Sequence, residues 1–221
     1  MLQLMLVAVM AYLLGSVPFG FLVGRARGVD LRKVGSGNIG STNIYRALGL
    51  RTALGVFALD AGKGLVATRV LSLVGDGTWN VTYVRLLAAL AVILGSVASV
   101  FMRFRGGKGV ATGAGAFLGL EPLATAISIA IWAGLVAGLH IVSVGSLAAA
   151  AALPILIAVL NRSQGLHNPA FYLALVVTGV VFASHRSNIR RLVNGTEKHI
   201  TRSGTAAPEP GQARKPGQEQ T

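Results

Sequence analysis

The sequence predicts an all-α polytopic membrane protein of seven transmembrane helices, some of them short, with the N-terminus outside and the C-terminus in the cytoplasm. Three observations lead there. The 221 residues are 53% hydrophobic and only 12% charged; against about 25% charge in soluble domains, the missing charge is the signal. Apolar segments are separated by three short polar, glycine-rich stretches, at 34–49, 103–113 and 184–197. Finally, 20 Lys and Arg stand against 7 Asp and Glu, a net charge of +13. They concentrate in those stretches, as the positive-inside rule expects of cytoplasmic segments.

Taken in order, Leu2–Gly24 is the first span. It has no basic leader and no small-x-small cleavage site, so it reads as retained rather than removed. Ala53–Val74 and Val84–Met102 follow. The region 109–160 is apolar but interrupted at Glu121-Pro122, at His140–Ser143 and at Pro154. If all three basic stretches share one face, the chain between 108 and 185 crosses an even number of times. Four crossings fit: Val110–Leu120, Leu123–Leu139, Val144–Leu160 and Ala170–His185. The first is about 17 Å long against a core of about 30 Å, and Gly113, Gly115 and Gly119 would let it pack closely on a neighbour. The competing count merges 110–139 and gives five spans. Residues 1–199 then form one membrane domain, and 200–221, rich in Pro, Gly, Gln and charge, a disordered cytoplasmic tail. No internal repeat is present.

Several chemistries drop out. A basic chain suggests nucleic acid, anionic lipid or a phosphorylated substrate; nucleic acid fits poorly because the cations lie in breaks between apolar segments. With no cysteine, disulfides, thiol nucleophiles and Cys-ligated metals are excluded. The four histidines lack metal-ligand spacing, and neither a metal nor a cofactor is expected.

The three stretches carry what phosphate needs. Gly35-Ser36-Gly37-Asn38-Ile39-Gly40 matches G-x-G-x-x-G, but that fingerprint requires a preceding strand, and here an apolar helix precedes it. What remains is a glycine-rich turn that exposes N–H groups. A helix starting near Ser41-Thr42 would aim its positive end at an anion, Ser36, Asn38, Thr42 and Asn43 would add hydrogen bonds, and Arg46 a planar fork. The bland alternative is a helix cap. Arg103, Arg105, Gly106, Gly107 and Lys108 fail the P-loop test, since Gly109 follows the lysine. As a mere interfacial anchor they would not need paired glycines, which suit a backbone that approaches a ligand. In the third stretch His185 and Asn188 share one helix face. His185 is either a general base or a helix-end cation, with Arg190, Arg191 and Glu197 behind it. Asp60 and Lys63, at i and i+3 inside an apolar segment, pair with each other in the simplest reading. Ser143 falls in a short break that parity places on the same face.

These motifs, in this order, resemble the bacterial acyl-phosphate:glycerol-3-phosphate acyltransferases, the PlsY family. The likeness runs from Tyr12 to Glu197 through YLLGSVPFGFLVGR (12–25), GSGNIGSTN (35–43) with Arg46, D-x-x-K-G (60–64), GGKGVAT (106–112), VSVGS (142–146) and H-x-x-N-I-x-R-L with G-x-E. Any one is weak; the set is specific. It implies a seven-span enzyme of the bacterial inner membrane, its site on the cytoplasmic face. The enzyme would move an acyl group from acyl phosphate to the 1-hydroxyl of sn-glycerol 3-phosphate, in contact with membrane lipid; the oligomeric state is left open, a monomer being one option. By the family pattern Ser36, His185 and Asn188 take catalytic positions. Gly37, Asn38, Thr42, Asn43, Arg46, Gly106, Gly107, Lys108, Ser143 and Glu197 take substrate- and phosphate-binding ones. Two departures stand out: Ser96 where the family reads His, and Arg105 for a usual Lys. Other readings left open are a non-catalytic paralogue that binds phosphorylated lipid precursors, and an anionic-metabolite transporter.

Overall fold

The computed structural model describes residues 1–74, 79–161 and 165–200; within them every regular element is helical. In chain order these are α1 Leu2–Ser16, α2 Phe19–Ala26, α3 Ser41–Leu48, α4 Leu50–Arg69, α5 Val81–Val97, α6 Val110–Leu120, α7 Pro122–Leu139, α8 Val142–Leu160, α9 Pro169–Ser184 and α10 Arg186–Val193. The expected tail lies outside the described residues except for Ile200, whose N–H donates to the His140 carbonyl at 2.6 Å.

Expectation and structure differ at several element ends. The first span is two helices, because Pro18 supplies no N–H and breaks the ladder after Ser16. Lys63 repairs the break: its ammonium donates to the Val17 carbonyl at 3.1 Å while pairing with Asp60 at 2.7 Å. The second apolar segment is helical from Leu50 to Arg69, and the last ends at Ser184, one residue before His185.

Two hydrogen-bonded clusters fix the direction of the later helices. At one pole Ser143 and Asn188 both donate to Glu197, and Lys108 donates to Asn188. At the other, Glu121 accepts from Asn161 at 3.0 Å and from Asn168 at 2.8 Å. So α6 leaves the first pole, α7 returns to it, α8 leaves and α9 returns. The stretch 110–139 is thus two helices, α6 and α7, that turn at Glu121.

Four helical segments are long and apolar enough to cross a membrane: Leu2–Ala26, Val81–Met102, Pro122–Leu139 and Val142–Leu160. A bent pair, Pro169–Ser184 with Arg186–Val193, makes up to five. Helix α6, with 11 residues, is shorter, and α4 carries Arg51, Asp60, Lys63 and Arg69.

Small residues hold α6 against α4. A Cβ on Gly115 would strike the Ala61 carbonyl, one on Gly64 the Thr112 carbonyl, and one on Gly119 the Thr68 hydroxyl. Gly113, expected in the same role, has only ordinary contacts at 3.9–4.0 Å. Along α8, Pro154 cannot donate to the carbonyl of Ala150, and the Thr178 hydroxyl of α9 lies 2.7 Å from it instead. The core, with Val92, Ile93, Phe117, Ile157 and Ala174 essentially inaccessible, lies among α1, α5, α6, α8 and α9.

Gly115→Ala should therefore destabilise the protein by about 1–3 kcal/mol through overpacking, while Gly113→Ala stays within about 0.5 kcal/mol. Thermal unfolding of both variants in one detergent measures the difference; equal shifts would mean α4 and α6 do not depend on that contact.

Candidate active site

At the first pole the three polar stretches meet around one cavity of about 790 Å³. Its walls include Ser36, Asn38, Thr42, Asn43, Arg46, Gly107, Lys108, Ser143, His185, Asn188 and Glu197. Of the residues expected from sequence, Gly37 and Gly106 do not line it.

The first stretch is a loop organised by Asn43. This side chain is 2% exposed; its amide donates to the carbonyls of Leu31 and Val34, both at 3.1 Å, and its oxygen accepts from Ser36 N–H at 3.0 Å. Gly35, at φ +61°, has no room for a Cβ because the Asn43 oxygen occupies that space. Asn43 therefore shapes the loop, a correction to its expected role as a phosphate ligand: both its amide hydrogens are already committed. The Asn38 oxygen accepts from Gly40 N–H at 2.8 Å, and Gly20 lets the Ile39 carbonyl settle against α2. Helix α3 then starts at Ser41 with no side-chain cap, so its first N–H groups remain available at the cavity wall, the arrangement that attracts an anion. Ser36 and Thr42 line the wall, and Arg46 follows one turn on.

The second stretch corrects the reading of the paired glycines. Gly106 N–H donates to the Val97 carbonyl at 3.0 Å and Gly107 N–H to the Ser96 carbonyl at 2.9 Å. These bonds finish the C-terminal end of α5, so neither N–H faces a ligand. Glycine is required at 106 because a Cβ would strike the Ser96 carbonyl. Ser96, the departure from the family pattern, also accepts a hydrogen bond from Thr112 at 3.0 Å. It braces the loop that carries Lys108 and contacts α6 as well.

The third stretch builds the polar floor. The Asn188 oxygen accepts from Lys108, and its amide donates to Glu197 Oε1 at 2.5 Å. The cationic donor on one side and the carboxylate on the other leave only one amide orientation. Ser143, in the first turn of α8 rather than in a break, donates to the same oxygen at 2.8 Å. Arg191 donates to Oε2 at 2.7 Å. His185 is 2% exposed, with Nδ1 at 2.8 Å from the Val181 carbonyl. A carbonyl only accepts, so Nδ1 carries the proton and Nε2 keeps a lone pair in the neutral ring. Sequence reasoning gave Arg191 no site role and missed Lys198. Arg190 and Arg191 are neighbours on α10, and only the turn at Gly195, φ +66°, brings Glu197 back beneath the second. Lys198 donates to the Gly35 carbonyl at 3.3 Å, and its own carbonyl accepts from Arg46 at 3.4 Å. The chain after α10 thus runs across the mouth of the cavity.

Burial pushes the Lys108 ammonium down to about 8, against the opposing pull of Glu197 and with Arg191 and Arg46 adding to the depression. Glu197 would be raised by burial, but hydrogen bonds from Asn188, Ser143 and Arg191 outweigh that and hold it below its ordinary value. The cavity therefore offers Arg46 and Lys108, with Arg191 and Lys198 also in its wall, a helix N-terminus, hydroxyls and an imidazole lone pair, with an apolar extension between helices. That equipment can hold phosphate and present a hydroxyl to a base.

Comparison with known proteins agrees. A profile of the glycerol-3-phosphate acyltransferase family matches residues 5–195. The glycerol-3-phosphate acyltransferase of Geobacter sulfurreducens is 43% identical over 200 residues, 90% of this chain and 99% of that one. A Thermus thermophilus enzyme of the same name is 44% identical over 191 residues, 86% and 92%. The crystal structure of PlsY, an integral membrane glycerol 3-phosphate acyltransferase, in its glycerol 3-phosphate form superposes with a TM-score of 0.81 at 34% identity, covering 90% of this chain and 96% of that one. Its lysophosphatidic acid form gives 0.78 at 32%, covering 90% and 95%.

Because burial lowers the Lys108 ammonium to about 8, it is a charged phosphate ligand below that value and a neutral one above it. The dissociation constant for inorganic phosphate, followed by calorimetry from pH 7 to 10, should rise toward tenfold per pH unit beyond about 8. Lys108→Arg should move that break upward, since guanidinium stays charged. A dissociation constant flat from pH 7 to 10 would place the phosphate away from Lys108.

Proposed function

Because the chain belongs to the glycerol-3-phosphate acyltransferase family, we propose that it transfers a fatty acyl group from acyl phosphate to the 1-hydroxyl of sn-glycerol 3-phosphate, giving lysophosphatidate and inorganic phosphate. The observation that carries this reading is the convergence of Arg46, Lys108, His185 and the α3 N-terminus on one cavity that continues as an apolar groove. Both substrates bring a phosphate to such a site, and one brings an acyl chain.

Acyl phosphate is already activated, so direct attack needs only orientation. Arg46 and Lys108 hold the glycerol 3-phosphate group, and Asn188 fixes the Lys108 ammonium. The free N–H groups at the start of α3 and the Ser36 hydroxyl face the acyl phosphate and steady the oxyanion as the hydroxyl oxygen adds to the carbonyl carbon. Collapse breaks the bond from that carbon to the phosphate oxygen, and phosphate leaves with the electron pair. The hydroxyl proton passes to His185 Nε2 or to a phosphate oxygen. Ser143 and Arg191 hold Glu197, and Glu197 holds Asn188.

We place the chain in the bacterial inner membrane with seven crossings, α1–α2 counting as one, α3 and α10 lying at the surface, and the site on the cytoplasmic face. The support is charge: Arg46, Arg51, Arg103, Arg105, Arg190 and Arg191 all cluster toward the site pole, as positive-inside sorting requires. The chain has no cysteine, so single introduced cysteines report without background. Ala47→Cys and Arg190→Cys should react with a membrane-impermeant reagent only from the cytoplasm, and Leu166→Cys only from outside. Outside labelling at Arg190→Cys would reverse the orientation.

The activity test is to incubate purified protein with acyl phosphate and labelled glycerol 3-phosphate and look for lysophosphatidate. Arg46→Ala and Lys108→Ala should each lower kcat/KM about 10- to 100-fold, matching a charge-assisted hydrogen bond of about 1.5–3 kcal/mol. His185→Ala should lower kcat by about 10²–10⁴-fold if the imidazole is the base; a smaller loss, mainly in KM, assigns the proton to phosphate. Wild-type rates in both cation variants would remove the clamp.

A further inference from the structure

We propose that this chain measures its acyl donor, with Phe117, Thr125 and Leu153 forming a floor that sets the preferred length at about 14–16 carbons. The proposal rests on the transferase reading above and deepens it.

The cavity does not stop at the polar site. It continues between α6, α7, α8 and α9 toward the opposite pole. The face that α8 turns to it is small for two turns, Ser146, Ala149 and Ala150, and then large at Leu153. Helix α6 does the same: Gly113 and Ala114 first, then Phe117. A Cβ on Gly113 would make only ordinary contacts with Ile93 and Val177, at 3.9 and 4.0 Å, so no tight helix contact requires glycine there. Phe117 is 0% and Leu153 9% exposed. The third side of the floor is Thr125, whose hydroxyl is committed to the Glu121 carbonyl at 2.7 Å.

Ser128, one turn above Thr125 on α7, lines the groove as well, so the small face of α7 continues that of α8. Phe57 of α4 and Trp132 of α7 stack at 6.3 Å between ring centroids, which closes the gap between those helices above the floor. A chain entering from the site therefore runs down the groove to its end.

Helix rise supplies the scale. From Ser143 to Leu153 the groove descends about 15 Å, and from Val136 to Thr125 about 16 Å, at about 1.5 Å per residue. An extended alkyl zigzag of about 1.5 Å bonds advances about 1.25 Å per bond. The groove thus takes about 12–13 bonds below the level of Ser143, and the carbonyl end of the chain lies above it. A methylene that finds no room is resisted by a wall of buried side chains, and one methylene changes discrimination about tenfold or more.

The test is kcat/KM for acyl phosphates of 8 to 20 carbons at saturating glycerol 3-phosphate, with purified wild type, Ala150→Phe and Leu153→Ala. Wild type should peak at about 14–16 carbons and fall at least about tenfold by 20. Ala150→Phe fills the groove about 10 Å below Ser143 and should move the peak to about 10–12 carbons. Leu153→Ala removes bulk from the floor and should raise the 18-to-14-carbon ratio about tenfold; it decides the matter if Ala150→Phe does not fold. Turnover with no break between 12 and 20 carbons, or a Leu153→Ala profile superimposable on wild type, overturns the floor and leaves the transferase reading standing. Absence of lysophosphatidate from every donor overturns both.

Discussion

Glu197 is a carboxylate whose side chain is 6% exposed at the face of a largely apolar bundle, and its charge survives there only because donors surround it. Ser143 comes from the start of α8, Asn188 and Arg191 from α10, and Asn188 in turn receives Lys108 from the loop before α6. Three helix ends that share little apolar contact are thereby given one relative position. The catalytic geometry follows from that. Lys108 points into the cavity because Asn188 holds it, and Asn188 presents its oxygen to Lys108 because Glu197 claims its amide. Loss of the carboxylate would leave Arg191 uncompensated and let Asn188 turn, so the residue acts on the site without being placed to touch the reacting atoms.

The opposite pole repeats the logic with the charge reversed in purpose. Glu121 separates α6 from α7 and is satisfied by Asn161 and Asn168, which bound the loop between α8 and α9. One carboxylate at each pole gathers the ends of the same helices, and the apolar groove lies between them. The spacing of the two clusters therefore determines how far the groove can extend.

Much of this was legible in the sequence. The four apolar segments after residue 108 were readable because Glu121-Pro122, His140 and the polar residues after Leu160 interrupt hydrophobicity sharply, and each is a separate helix. Arg46, Lys108, His185 and Asn188 were singled out because cations and hydrogen-bonding side chains are rare in such a chain, and the structure brings all four to one cavity. Two readings changed for a common reason: a residue type does not say which partner consumes it. The N–H groups of Gly106 and Gly107 go to α5 carbonyls and Asn43 goes to its own loop, and nothing in the residue types marked Arg191 as the partner of Glu197. The first span was read straight through Pro18, and its repair by Lys63 from another helix was not legible either, since the Val17 carbonyl and Lys63 are 46 positions apart and joined only by tertiary packing.

The last described residues have a consequence for how the molecule is made. A chain synthesised from its N-terminus acquires its apolar helices first, and each can be inserted as it appears. Glu197, Lys198 and Ile200 arrive after all of them, and they tie together the first polar loop, the α7–α8 corner and α10. A chain ending after α10 would therefore hold every helix and lack these cross-ties of the site.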